Sequence, residues 1–495
     1  MNQVFDVAVI GGGINGCGVA ADAALRGLSV ILIEKDDLAS KTSSSSSKLI
    51  HGGLRYLEHY DFALVKKALD ERQLLLSLAP HLVHPLALVL PYKRQMRPTW
   101  LLRTGFLFYD YLSRKNKLPK SKLIRRSKQQ TYFAPLKTEY EKGFLFYDCK
   151  TDDSRLTIAN ALQAKEFGAE IYTNTELLSA QTVDNLWKLK IQSKSGTTKT
   201  ITARSVVNAT GPWVESINKL LAIHTQFKMS LVKGSHIVVP KLYQGEHAYL
   251  LQNLDQRIVF IVPYHDQTMI GTTDVAFSGS LDEVKISKEE TEYLCELVSS
   301  YFSTTLKPEK IINTWSGVRP LLASESEALS SLSRDYSVYY SNAPAPAVTI
   351  YGGKITTYRQ SSLEAISQLK AIFPNLVKSK SEFQPLPGST FKNWSYQDYL
   401  HHANEKFYWL DDVLRERYLS NYGTRTEILL KKCNSMNDLG MDFGNGLFQV
   451  EVDYLLQEEW ARTSDDILWR RTKLGLNFPA ESKSNLDNYL KAYWE

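Results

Sequence analysis

A chain of 495 residues, 43% hydrophobic and 23% charged, has the composition of a folded globular protein and the length of about two to four domains, which excludes disordered and fibrous classes. Its four cysteines, Cys17, Cys149, Cys295 and Cys433, lie far apart with no C-x-x-C pair and no zinc spacing, so neither a disulfide framework nor a metal site is expected. The net charge is only +6, no apolar run approaches the roughly 18 residues of a membrane span, and the N-terminus has no secretory signal, so a reducing, cytoplasmic chain is expected.

In chain order, residues 5–10 form a short apolar run that reads as a buried parallel strand. Gly11-x-Gly13-x-x-Gly16 follows at once. An alanine-rich helical pattern covers 15–26, and a second apolar strand over 28–33 is closed by Glu34. The first glycine permits a tight turn, the second lets backbone approach a pyrophosphate, and the third lets helix pack on strand. The pyrophosphate is expected at the helix N-terminus, with the Glu34 carboxylate accepting hydrogen bonds from the adenosine ribose. On this fingerprint alone the dinucleotide is NAD or FAD.

The residues after Glu34 favour FAD. An NAD-binding unit continues with alternating helix and strand, whereas this chain enters five consecutive serines (43–47) and then His51-Gly52-Gly53. The serines look like a linker, but a linker here would isolate only about forty residues, fewer than usually fold alone. Small hydroxyl residues can instead pack against a flavin and hydrogen-bond its phosphates and ring. Two later segments, SVVNATGPW (205–213) and VTIYGGKITTYR (348–359), each repeat a strand followed by a glycine turn. Three separated segments converging on one nucleotide fit a flavoprotein.

Together IGGGINGCGVAADAALRGLSV, SSKLIHGGLRYLE, NATGPW, KGSHIVVP, IGTTDV, SGVRPL and GGKITTYR resemble the FAD-dependent glycerol-3-phosphate dehydrogenases of the respiratory type. The resemblance is dense over about residues 4–370 and looser beyond. Ser362 stands where the family usually carries alanine. The resemblance implies that the serine-rich segment lines the flavin pocket and that Arg55 faces substrate. The expected architecture is α/β: a discontinuous Rossmann-like FAD domain (1–78, 149–225, 336–380), a mixed-sheet substrate domain (79–148, 226–335) and a C-terminal α-helical cap domain (391–495). Helical periodicity and many aromatics mark the cap, with Ser464-Asp465-Asp466 as a helix start. The FAD-binding set is Gly11, Gly13, Asn15, Gly16, Glu34, Lys35, Thr42, Ser43, Ser46, Ser47, His51, Gly52, Gly53, Thr210, Gly211, Gly352, Gly353 and Thr356.

A phosphorylated polyol requires cations for its phosphate and an acceptor for its hydroxyl proton. Arginine suits phosphate because its donor fork stays charged and binds two oxygens. Arg55, Arg319, Arg334 and Lys354 are the candidates, with Thr272, Thr273 and Tyr56 toward the substrate hydroxyls. His236 is the ordinary choice of base, and Arg319 stabilises a developing alkoxide. The implied chemistry is hydride transfer from C2 of sn-glycerol 3-phosphate to flavin N5, giving dihydroxyacetone phosphate. A glycerol-3-phosphate oxidase using oxygen, or an amine or hydroxy-acid oxidoreductase of the same fold, is the rival reading. A non-enzymatic flavin scaffold would leave the arginines idle.

Residues 93–128 hold twelve lysines and arginines against one acid, Asp110, a local charge of +11 that leaves the rest of the chain at −5. Trp100, Leu101, Phe106, Leu107, Phe108, Tyr111 and Leu112 supply an apolar surface among these cations. The segment reads as an interfacial helix meeting anionic lipid, which places the protein peripherally on the cytoplasmic face of the membrane with a quinone as electron acceptor. Nucleic acid is not expected, since no binding fold accompanies the patch. A homodimer is left open.

Overall fold

The computed structural model describes residues 3–54, 61–93, 97–113, 115–253, 257–323, 335–391 and 394–495. Among these, one sheet of eight strands carries the order Tyr336–Ser341, Ala347–Gly352, Thr198–Asn208, Val4–Ile10, Val30–Ile33, Glu170–Tyr172. The inner pairings are parallel. Strand Val4–Ile10 is buried on both faces because alternate residues meet two different layers. Val7 and Val9 pack with Ala20, Ala24, Ile158 and Ile366 of helices Ile14–Leu25, Asp153–Glu166 and Tyr358–Gln368. Phe5, Ala8 and Ile10 face Trp187 and Leu189 of the strand Leu186–Ser193 on the opposite side.

The alanines of helix Ile14–Leu25 let the flanking helices come close. A Cβ on Gly18 would stand 2.7 Å from both Ser362 Oγ and the Tyr358 ring. Ser362 turns its hydroxyl back to donate to the Tyr358 carbonyl at 2.8 Å. The helix therefore satisfies that polar group internally, and the departure from alanine is confined to packing.

The second sheet, ten strands among the described residues, is mixed. Its longest member, Met229–Pro240, pairs antiparallel with Asn313–Leu322, in register Gly234 to Gly317 and His236 to Trp315. Strand Leu49–Ile50, directly after the serine segment, joins this sheet by pairing with Lys142–Thr151. The serine segment thus passes from one sheet to the other.

Residues 396–494 form a helical unit with its own tyrosine-rich core (Tyr399, Tyr418, Tyr422, Tyr454). The helix start near Ser464 is capped one residue earlier. The Thr463 hydroxyl accepts from Asp466 N at 3.2 Å, while Asp466 accepts from Thr463 N at 2.9 Å. This helix widens to a π turn over Asp466–Arg471, with Thr472 N donating to Ile467 O. Among the described residues no helix is long and apolar enough to cross a membrane.

Candidate functional site

A cavity of about 530 Å³ is walled by both sheets. At one end lies the glycine turn. Gly11 has φ +109°, and a Cβ there would meet Ala209 O at 2.8 Å, so the turn needs glycine both for its backbone and for its contact. A Cβ on Gly16 would fall 1.9 Å from Gly11 O, which makes Gly16 a helix-on-strand contact rather than part of the wall. Gly13 precedes helix Ile14–Leu25 with no side-chain cap, so the helix N-terminus meets the cavity with its dipole uncompensated by any acid in the first turn.

Glu34 lines the same end. Its Oε2 accepts from Gly12 N at 2.6 Å and its Oε1 from Asp36 N at 2.8 Å. Burial pushes its carboxyl up from the usual range while the two N–H donors pull it down. Each oxygen keeps lone-pair capacity for a ribose hydroxyl.

The serine segment is an ordered wall. Ser43 Oγ accepts from Ile14 N at 2.9 Å, and Thr42 Oγ1 donates to Val318 O at 2.8 Å. The Asp153 carboxylate takes Ser46 N at 3.0 Å, Ser46 Oγ at 2.7 Å and Lys48 Nζ at 2.8 Å. The GGKITTYR turn meets both the first glycine turn and the end of this segment. Asn15 Nδ2 donates to Gly352 O at 3.3 Å, and Thr356 Oγ1 accepts from His51 N at 3.3 Å. Thr210, Gly211, Gly353 and Lys35 also line the cavity. Trp213, over which Lys35 sits at 4.4 Å, lines it too, a role that its place at the end of SVVNATGPW does not signal.

The other end belongs to the second sheet. Arg319 Nη2 donates to Thr272 Oγ1 at 2.7 Å, and its Nη1 contacts the Asp274 carboxylate. The guanidinium lies across Gly234, where a Cβ would stand 2.2 Å from Nη2. Gly234 was not singled out from the sequence, although a glycine inside a strand signals such close approach. Lys354 and His51 are also on the wall, with Phe260 edge-on to the His51 ring at 5.9 Å.

Besides Gly16, four expected site residues, Thr273, His236, Gly52 and Gly53, stand behind the wall. Thr272 and Thr273 are adjacent and point apart, and Thr273 donates to Glu290 at 2.6 Å instead. His236 is buried, stacked on Trp315, with Nε2 2.9 Å from Ser47 Oγ. Burial, with the Arg319 and Lys48 charges beside it, holds its pKa well below the usual value. Gly52 is packed against Leu69, its N–H donating to Tyr109 OH at 2.9 Å. Gly53, with φ +77°, does not reach the cavity. Arg55, Tyr56 and Arg334 lie outside the described residues.

A family model for FAD dependent oxidoreductases matches residues 6–359, and one for the C-terminal domain of alpha-glycerophosphate oxidase matches 379–492. The chain is 47% identical over 494 residues to a glycerol-3-phosphate dehydrogenase of Pseudomonas aeruginosa, covering 99% of this chain and 96% of that protein. It belongs to the FAD-dependent glycerol-3-phosphate dehydrogenase family. A D-erythritol 1-phosphate dehydrogenase of Brucella abortus is 43% identical, over 95% of this chain and 94% of the relative. The solved glycerol-3-phosphate dehydrogenase of Bacillus halodurans, complexed with FAD, shares the fold with a TM-score of 0.77 at 24% identity, covering 99% of this chain and 94% of that one.

As a member of this family the protein takes FAD as its cofactor, and its residues fit that group. A helix N-terminus with no acid in its first turn, a glycine turn, a buried carboxylate and a wall of hydroxyls occupy the nucleotide end, with cations at the other. No candidate metal cluster occurs among the described residues.

Proposed function

We propose that this FAD-dependent glycerol-3-phosphate dehydrogenase oxidises sn-glycerol 3-phosphate to dihydroxyacetone phosphate and passes the electrons to a membrane quinone. The observation that carries the reading is the placement of Arg319 and Lys354 on the wall of the same cavity as the serine segment, with Thr272 beside Arg319. Bound FAD supplies a hydride acceptor, N5 of the ring. Lys354, with Arg55 and Arg334 of the family motifs, receives the phosphate, while Thr272 orients a hydroxyl. Arg319 stabilises the negative charge that grows on the C2 oxygen. His51 takes the hydroxyl proton, being the imidazole on the wall, and His236 holds Ser47 in place behind it.

The test is anaerobic addition of sn-glycerol 3-phosphate to the yellow protein. Bleaching of the flavin, with no peroxide in aerobic turnover and faster reoxidation by a soluble quinone than by oxygen, is the expected result. Stoichiometric peroxide would make the enzyme an oxidase. Bleaching by D-erythritol 1-phosphate at a higher kcat/KM would reassign the substrate.

Arg319→Ala is expected to lower kcat/KM at least about tenfold with full flavin content, the loss of a charge-assisted hydrogen bond worth roughly 1.5–3 kcal/mol. Since Asp274 loses a partner in that variant, the measurement is repeated in an Asp274→Asn background. Kinetics equal to wild type in both would remove Arg319 from the site.

Membrane docking is proposed through helix Thr99–Tyr111, which exposes Trp100 (68%), Leu107, Phe108 and Tyr111 beside Phe62. Phe106, expected on this surface, turns inward to stack on Phe144 and Phe146, because it lies on the helix face that meets the sheet. The exposed side carries Arg103, Lys115, Lys117 and Lys120 around the apolar residues. A variant with Trp100, Leu107 and Phe108 as serine and Lys115, Lys117 and Lys120 as glutamate is expected to lose co-sedimentation with anionic vesicles. Equal sedimentation of both proteins would exclude this helix as the anchor.

A further inference from the structure

Among the described residues the C-terminal helical unit contributes none to the cavity wall, yet it grips two of the segments that form it, the turn after Glu34 directly and the serine segment through the start of helix Asp153–Glu166. Asp37 follows Glu34 by three residues and begins the turn whose next members, Ala39, Ser40 and Lys41, line the cavity. Ser40 N closes on Asp37 O at 3.2 Å and Ala39 N on Gly12 O at 3.0 Å, so the turn is fastened to the glycine loop. The Asp37 carboxylate, 4% exposed, receives Arg471 Nη1 at 2.6 Å, Arg471 Nη2 at 2.8 Å and Arg470 Nε at 2.6 Å. Arg471 is wholly buried, and its Nη2 also donates to Glu459 O at 2.5 Å.

The second grip is two residues further along. Lys473 contacts Ser154 Oγ and reaches Asp152 at 3.2 Å, at the start of helix Asp153–Glu166. Asp153, between them, holds Ser46 and Lys48 of the serine wall. A further buried pair, Arg155 with Glu459, fixes the same helix to the same unit at 2.9 Å.

Charges this deeply buried are stable only while each keeps its partner, so the contact specifies one docked geometry. Glu34 lines the end of the cavity that takes a pyrophosphate, and the buried Asp37 adds a second carboxylate behind that wall. Without the arginines, Asp37 would repel that anion as well as lose its anchor.

We propose that the C-terminal unit is the element that retains the flavin: Arg470, Arg471 and Lys473 lock the two loops of the FAD cavity and neutralise Asp37, and so act as positioning residues for the cofactor. The proposal rests on the FAD assignment but not on the substrate reading.

The experiment titrates flavin-stripped protein with FAD, followed by quenching of flavin fluorescence, and measures kcat at saturating FAD. Arg471→Met is expected to raise the half-saturating FAD concentration about tenfold or more, with kcat at saturation within about twofold of wild type. Adding Asp37→Asn to Arg471→Met is expected to recover at least about threefold of the affinity, because the carboxylate left with Arg470 as its one arginine partner is gone. Lys483→Met, which breaks the exposed pair with Asp465 inside the same unit at 2.8 Å, should leave FAD binding unchanged. If Arg471→Met does not fold, Arg470→Met decides, since Asp37 then keeps Arg471, and a rise of about threefold is expected. Unchanged FAD half-saturation in the folded arginine variants, a fall in kcat matching the loss of affinity, or no recovery on adding Asp37→Asn would each overturn the proposal.

Discussion

Replacing Gly13 with valine should give a protein that purifies with less than about a tenth of the wild-type flavin per chain, because the pyrophosphate needs backbone rather than side chain at the helix N-terminus. Gly13 has φ −79°, a backbone that valine adopts readily, so the loss arises in the cavity and not from backbone strain. Its Cβ would already stand 3.0 Å from Ser43 Oγ, the group that accepts from Ile14 N. The valine methyl groups would part the serine wall from the helix and occupy the space between. Absorbance of bound flavin per chain, read beside far-UV circular dichroism of the same sample, makes the check. A folded variant with full flavin would mean that the pyrophosphate lies elsewhere.

His51→Gln should lower kcat about a hundredfold with flavin retained, the usual scale for loss of a positioned proton acceptor. The argument is one of access. Between the two histidines of the site, His51 is on the cavity wall, whereas His236 reaches it only through Ser47. His236→Gln is the paired measurement, and it should cost less, acting through a displaced Ser47. A larger loss for His236→Gln than for His51→Gln would move the proton path to the Ser47–His236 pair. Single-turnover reduction of the flavin separates this chemical step from later electron transfer.

The nucleotide end was legible in the sequence because its determinants are local. Strand, glycine turn, helix, strand and Glu34 follow one another within residues 4–34, and their spacing alone dictates the turn. The later glycine turns were legible as motifs, and Asn15 to Gly352 is where the first turn meets the last. Side-chain direction was less legible. Thr272 and Thr273 are equivalent as letters, and only their partners in the fold distinguish them, Arg319 at the cavity for one and the buried Glu290 for the other. His236 has a catalytic composition around it, but strand register buries it against Trp315. Phe106 belongs to an apolar stretch whose helix face is fixed by Phe144 and Phe146, residues of a distant strand. The least legible contact joins Arg471 to Asp37, 434 positions apart, since a charged pair in the sequence gives no sign of its partner.

The parallel pairing of Val4–Ile10 with Thr198–Asn208, and of that strand with Ala347–Gly352, governs how the molecule is born. A chain emerging from the ribosome presents its first strand, alanine-rich helix and the strand Val30–Ile33 long before the partners on the other side, Thr198–Asn208 and Ala347–Gly352, exist. Sheets closed by such distant partners form slowly, because loop-closure entropy is lost before the contacts that offset it are made. The apolar first unit therefore depends on protection from aggregation until most of the chain has been made. Free flavin then binds only the assembled state and draws the equilibrium toward it, so cells short of riboflavin should accumulate degraded rather than inactive enzyme.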